Sequence, residues 1–239
     1  MAKSHYLEGH VGLDIARGLV VNTTSEHKFG AVPAMSQNQT GTIWDVNDTL
    51  YPWSAWDTAG VLVAAQANAS DNGKTVVVLG LDADFNEVSE TFTLSSSGTV
   101  TGAVTFKRAY RAYMTDGNNV GNVSFSRGGT EILRITATKA QTLMAIYTVP
   151  AGYTAYVMQG TMSVQSGADA TGNMFVRYSG QNVFRIGHTF EVSGAGGQYM
   201  YDFAVPIAIP AKSDIDVRAT VRSNNARVTS AFDMILIRN

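Results

Sequence analysis

Hydrophobic and polar residues alternate with a period of two along most of the chain. In "SDIDVRATVRS" (213–223), Ile215, Val217, Ala219 and Val221 point one way, and Asp214, Asp216, Arg218, Thr220 and Arg222 the other. That pattern predicts a half-buried strand with one face turned to solvent or to a partner. "KTVVVLGLDADFNEVSETFTL" (74–94) predicts a hairpin: an apolar strand, a turn built on Asp82, Asp84 and Asn86, then alternation through Val88, Glu90, Phe92 and Leu94. "VPAGYTAYVMQGTMSV" (149–164) opens on a turn in which Pro150 pre-sets φ and Gly152 relaxes the exit, and continues as a long strand. The terminal "AFDMILIRN" is apolar on both faces, which predicts a central strand or one covered by another chain. Helical periodicity is confined to a short turn near "VGLDIARG" (11–18).

Turn signals such as "DNG" at Asp71, "SSSG" at Ser95, "DGNN" at Asp116 and "SGAD" at Ser166 separate the strands without helical crossovers. The fold class that follows is all-β: two antiparallel β-sandwich units preceded by an extended N-terminal arm. The arm covers residues 1–40, the first sandwich 41–138, and the second, jelly-roll-like unit 139–239. Its irregular pattern marks the arm as a segment suited to lie along another subunit. No internal repeat is evident.

The chain has 239 residues, of which 45% are hydrophobic and only 15% charged, and a formal net charge of −2. Such low charge calls for a surface of small polar residues or for coverage by other subunits. "FKRAYRAY" (106–113) interleaves three basic residues with aromatics, but no further basic cluster extends it. A strand with its basic residues in water is the preferred reading, and a nucleic-acid partner is not expected. No segment has membrane-spanning length and no signal peptide opens the chain, so production in a cytoplasm and no membrane partner are expected. The absence of cysteine removes disulfides, thiolate metal sites and cysteine nucleophiles.

Chemistry is sparse. His5, His10, His27 and His188 are scattered, with too few ligands nearby for a metal. "DADFNE" begins like a calcium loop but has Glu87 at the sixth position and Thr93 at the twelfth, so a hairpin turn accounts for it better. Phosphate-cradling glycine motifs, nucleophile elbows and H-E-x-x-H are missing. The expectation is a non-enzyme without cofactor or metal. One segment stands out. "GTIWDVNDTLYPWSAWD" (41–57) holds all three tryptophans, Trp44, Trp53 and Trp56, beside Asp45, Asp48 and Asp57. Three readings are open: a plug in the core, a protein interface, or a sugar-stacking platform.

Several stretches, "TIWDVNDTLYPWSA", "TVVVLGLDADFNEVSETFTL", "FKRAYRAYMTD", "QTLMAIYTVPAGYTAYV" and "VPIAIPAKSDIDVRA" with "FDMILIRN", resemble virion structural proteins of tailed bacteriophages of the marine phage and cyanophage type. The resemblance runs from about Thr42 to the end and rests on ordinary β segments. It implies a virion component, which would act through protein–protein contacts with the major capsid protein or with neck or tail proteins. Sandwich units of this size with an apolar last strand also lead to the expectation of a homo-oligomer, a trimer or ring. Head decoration is the preferred place; a neck or tail component, or a carbohydrate-binding adhesin using Trp44–Trp56, are the alternatives. On this basis Trp44 and Trp53 are expected to anchor the arm onto the first sandwich or onto a neighbouring protein. Trp56 is expected to be the most exposed of the three.

Overall fold

The computed structural model describes residues 11–194, 197–222 and 225–239. His5, His10 and the first ten residues of the expected arm lie outside them. Among the described residues a single short α-helix, α1 (Val11–Ala16), precedes the strands. The first strands are β1 (Thr23–Met35), β2 (Thr40–Thr42), β3 (Val63–Gln66), β4 (Thr75–Leu81) and β5 (Glu87–Thr93). Next come β6 (Val100–Thr101), β7 (Arg108–Met114), β8 (Val123–Arg127) and β9 (Thr130–Ile135). The remainder is β10 (Ile146–Thr148), β11 (Tyr153–Val164), β12 (Ala170–Arg177) and β13 (Arg185–Val192). The last three are β14 (Gln198–Ile209), β15 (Asp214–Val221) and β16 (Ala226–Arg238). No helix among the described residues is long and apolar enough to cross a membrane.

Eight of these strands form the larger sandwich. One sheet has the order β1-β16-β11-β14; the other has β10-β15-β12-β13, with β2 also paired to β15. Counted along the chain, the eight run 1-8-3-6 in one sheet and 2-7-4-5 in the other, the arrangement of a jelly roll. Strict alternation builds its core: β12 buries every second residue, and Met174, Val217, Phe190, Phe232 and Met234 meet between the sheets. The terminal strand β16 is central, as its two-sided apolar pattern requires, with β1 on one side and β11 on the other.

The first jelly-roll strand comes from residues expected to lie in the arm. β1 pairs with β16 from Thr23↔Ile237 to Met35↔Ala226, with a register shift between Val32 and Met35 around Pro33. Proline is tolerated at such a bulge because it has no N–H to give the ladder. Residues 43–143 are then an insertion between the first and second strands of the jelly roll. They enter and leave through a paired stem, in which Ala145 N–H donates to Ile43 O (2.9 Å) and Asp45 N–H to Leu143 O (3.1 Å). Gly30 is where β1 meets this stem: a Cβ there would lie 2.2 Å from Ile43 O and 2.5 Å from Ala145 N. The linear order of arm, sandwich and sandwich is therefore replaced by one sandwich interrupted by another.

The insertion is itself two antiparallel sheets, β6-β3-β8-β9 and β5-β4-β7. Its core contains Val76, Val78, Phe106 and Leu133, with Phe92 and Phe125 edge to face at 5.2 Å. The hairpin expected over 74–94 is β4–β5, and its turn is closed by Asp82 Oδ1, which accepts from the N–H groups of Asp84 and Asn86, each at 2.9 Å. The two cores interlock at their border. Leu81 and Tyr110 of the insertion belong to the jelly-roll core, while Met144, Ile146 and Phe184 pack against that of the insertion.

Candidate functional site

The tryptophan segment lies at the seam between the two sandwiches. It follows the stem, and a 3₁₀ turn over Trp53–Trp56, entered from Pro52, folds it against β15. All three indoles are buried, with exposures of 2% for Trp44, 8% for Trp53 and 1% for Trp56. Each N–H has a partner, as buried indoles require: Trp44 Nε1 donates to Thr49 O (3.3 Å), Trp53 Nε1 to Asp216 Oδ2 (2.8 Å) and Trp56 Nε1 to Tyr51 Oη (2.7 Å). Trp44, Tyr51 and Trp53 meet edge to face at 5.1 and 4.9 Å, and Phe184 continues the row at 5.4 Å from Trp53. The plug reading describes this arrangement. The sugar platform does not, because no indole face is open to a ligand, and Trp56 is the least exposed of the three rather than the most.

The outward face of β15 explains why. Asp214 and Asp216, which the alternation turns away from the jelly-roll core, are buried by the insertion instead of meeting water. Asp216 accepts from Trp53, from Thr42 Oγ1 (2.8 Å) and from Arg218 Nε (2.8 Å). Asp214 sits between two guanidiniums: Arg108 Nε (2.8 Å) and Nη2 (3.1 Å) on one side, Arg177 Nε (2.9 Å) and Nη2 (2.6 Å) on the other. Thr148 Oγ1 adds a fifth bond at 2.6 Å. Arg108 was expected in water as part of "FKRAYRAY". It is buried because the pairing of β7 points its side chain into the seam. Of the neighbouring carboxylates, Asp45 is buried at the stem and accepts from Thr136 Oγ1 (2.7 Å). Burial, opposed by that bond, raises its pKa to about 6.

A second feature went unpredicted. The edge strands β13 and β14 lie side by side at one margin of the jelly roll, and among the described residues β14 has no strand on its outer side. Five large apolar side chains on or beside these strands are exposed, Val183, Ile186, Met200, Tyr201 and Val205, by 61%, 57%, 61%, 44% and 83%. Tyr201 turns toward His188, and its strand neighbour Met200 takes the opposite face. Opposite Met158, residues 203–206 bulge out of register, since Val157 pairs with Ile207 and Gln159 with Asp202. Beneath the patch, His188 is ringed by Phe190, Tyr201 and Phe203, at centroid distances of 4.9, 4.9 and 5.0 Å. Its Nε2 is buried without a hydrogen-bond partner among the described residues, and burial lowers its pKa. The signal for this edge was in the sequence: "QYMYDFAVPIAI" is apolar on both faces yet contains Pro206, and proline in such a run marks an edge strand.

No protein-family model and no curated protein matches the chain. Among solved structures it is similar to a chain of the infectious bursal disease virus Gt strain, with 10% identity and a TM-score of 0.23. That match covers 91% of this chain and 73% of the other. It is also similar to the VP2 subviral particle of infectious bursal disease virus, at 9% identity and a TM-score of 0.24, covering 90% and 72%. Likeness of this degree says nothing of function.

Proposed function

We propose that the chain is a non-enzymatic structural protein of a tailed-phage virion that works through protein–protein contacts, with head decoration as its place and the β13–β14 edge as its contact surface. The exposed apolar edge is the observation that carries this reading. The resemblance of the segments from Thr42 onward to phage virion proteins supports it.

The occupant of the edge is a second copy of the chain. The exposed apolar side chains supply part of the ~800 Å² that one partner contributes to an interface of ordinary size. The outer main-chain groups of β14 and the polar residues around the patch supply the remainder. The regular part of the β14 edge, before the bulge at residues 203–206, is a template for pairing with another strand. The charges are also self-complementary: Arg185 opens β13 and Glu191 lies near its end, so two antiparallel copies bring opposite signs together.

Two measurements test the proposal. Light scattering should find the purified chain as a homo-oligomer at micromolar concentration, and Ile186→Asp with Val205→Asp as a monomer of unchanged far-UV circular dichroism. A parent chain that stays monomeric at tens of micromolar overturns the self-docking. Quantitative mass spectrometry of purified particles should give a copy number near that of the major capsid protein, or a simple fraction of it. Only a ring's worth of copies overturns head decoration in favour of neck or tail; absence from particles overturns the virion reading altogether.

A further inference from the structure

We infer that the open end of the seam is a binding site for a small oxyanion, either phosphate or the carboxylate of an acidic sugar. The cleft has a volume of about 330 Å³ and lies between the two sandwiches. On the insertion side it is walled by the Trp56–Asp57 turn, Phe85, Lys107 and Arg108; on the jelly-roll side by Arg177, residues 178–182, Lys212 and Asp214. Four cations therefore border it against two carboxylates.

One of those carboxylates is fully engaged. Both oxygens of Asp214 are taken by Arg108, Arg177 and Thr148, so one buried negative charge faces two guanidiniums and leaves positive charge in excess. The other, Asp57, stands beside Lys107, whose Nζ donates to its main-chain oxygen (2.8 Å) and not to its carboxylate. Arg177 directs Nε and Nη2 to Asp214, which leaves Nη1 without a protein acceptor among the described residues. Lys212 has no carboxylate partner among them either; its ammonium stands 5.6 Å above the Phe85 ring. Burial, and after it the nearby Arg108, lowers the pKa of Lys107, with the Asp57 carboxylate opposing the shift.

An oxyanion is the chemistry this arrangement recognises. Arg177, Lys107 and Lys212 border one small volume, while Arg108 gives its donors to Asp214, Trp56 O and Lys107 O. Charge-assisted hydrogen bonds to phosphate or carboxylate are the strongest such groups make. The cleft exceeds a bare ion in size, and Gln181 and Asn182 add amides able to bond hydroxyls. The cleft adjoins the edge through the 178–183 segment, but its cations lie outside the edge, so each can fail without the other.

Isothermal titration calorimetry of the full chain with sodium phosphate, sodium glucuronate and glucose tests the inference. Phosphate or glucuronate should bind and glucose should not. Which of the two binds more tightly identifies the source of the anion. Lys107→Met with Lys212→Met, both removed from the ion pairs that hold the seam, should weaken binding by at least about tenfold, as expected on losing charge-assisted contacts. Their melting temperature without ligand should stay at the parent value. No binding of either anion, equal binding of glucose, or undiminished affinity in the double variant each overturns the site. If the double variant is destabilised, Lys212→Met alone, at an exposed position, should still weaken binding; unchanged affinity there overturns the inference equally.

Discussion

Asp214→Asn should be among the most damaging isosteric changes in the chain. The carboxylate is buried, as is Arg108, whereas the Arg177 side chain keeps 18% of its exposure. The amide preserves size but leaves two guanidiniums side by side with no negative charge between them, and it puts an N–H₂ group where acceptors were needed. Removing one partner of a buried ion pair costs about 3–5 kcal/mol. Because Arg177 can turn partly toward water, the low end, about 3 kcal/mol, is expected here. In a chain of this size that lowers the melting temperature by about 6–12 °C. Arg108→Met should cost less, since Asp214 keeps Arg177, and Arg177→Met less again, about 1 kcal/mol, as for a partly exposed pair. Urea and thermal unfolding followed by circular dichroism measure all three. The losses for Asp214→Asn and Arg108→Met should persist at high salt, because buried charges are poorly screened. The seam argument fails if Asp214→Asn falls within about 1 kcal/mol of the parent, or if Arg177→Met costs as much as Arg108→Met.

Other outcomes follow from the same geometry. Trp44→Ala truncates a fully buried indole and should cost about 3–5 kcal/mol by urea unfolding; a midpoint equal to the parent's would contradict its role as a plug. Gly30→Ala should destabilise strongly, since its methyl would meet stem main chain rather than a movable side chain; the measure is the thermal midpoint, set against Gly12→Ala, where a methyl meets open space. For pH, the Asp45 pKa is raised from 3.8 to about 6, so the fold favours its protonated form. Its contribution to stability is complete below about pH 4 and is lost as the pH rises through about 6. Asp45→Asn should therefore gain stability relative to the parent between pH 4 and 7, by up to about 3 kcal/mol; urea midpoints whose difference does not change with pH would refute this. Lys28 is buried against Tyr110 O (2.5 Å), and burial lowers its pKa to about 7. Its contribution is present above about pH 10.5 and lost as the pH falls toward 7, so Lys28→Met should flatten that slope in the same assay.

The strands were legible because their signal is local. Alternation through Ile215, Val217, Ala219 and Val221 states which side chains share a face, and two-sided apolarity placed the last strand in the middle of its sheet. The short helix and the 74–94 hairpin followed from equally local cues. Pairing was not legible. β1 and β16 are joined across the length of the chain, His27 bonding Asp233 from 206 residues away, and nothing within β1 specifies that partner. The irregular pattern that made residues 23–35 read as an arm has a tertiary cause: the stem and the insertion cover part of a face that an isolated sheet would leave in water.

What the amino-acid sequence determined by itself was the all-β class, the faces of the strands and the turns between them, because these arise from side-chain alternation and from the backbone preferences of neighbouring residues. What only the tertiary structure decided was the environment of each face. Asp214 and Asp216 on one side of β15 would be ordinary solvent-facing carboxylates in an uncovered sheet; the insertion makes them the buried centre of the seam and closes the tryptophans beneath it. Alternation specifies direction, while burial depends on what arrives from elsewhere in the chain, and a period of two carries no record of that.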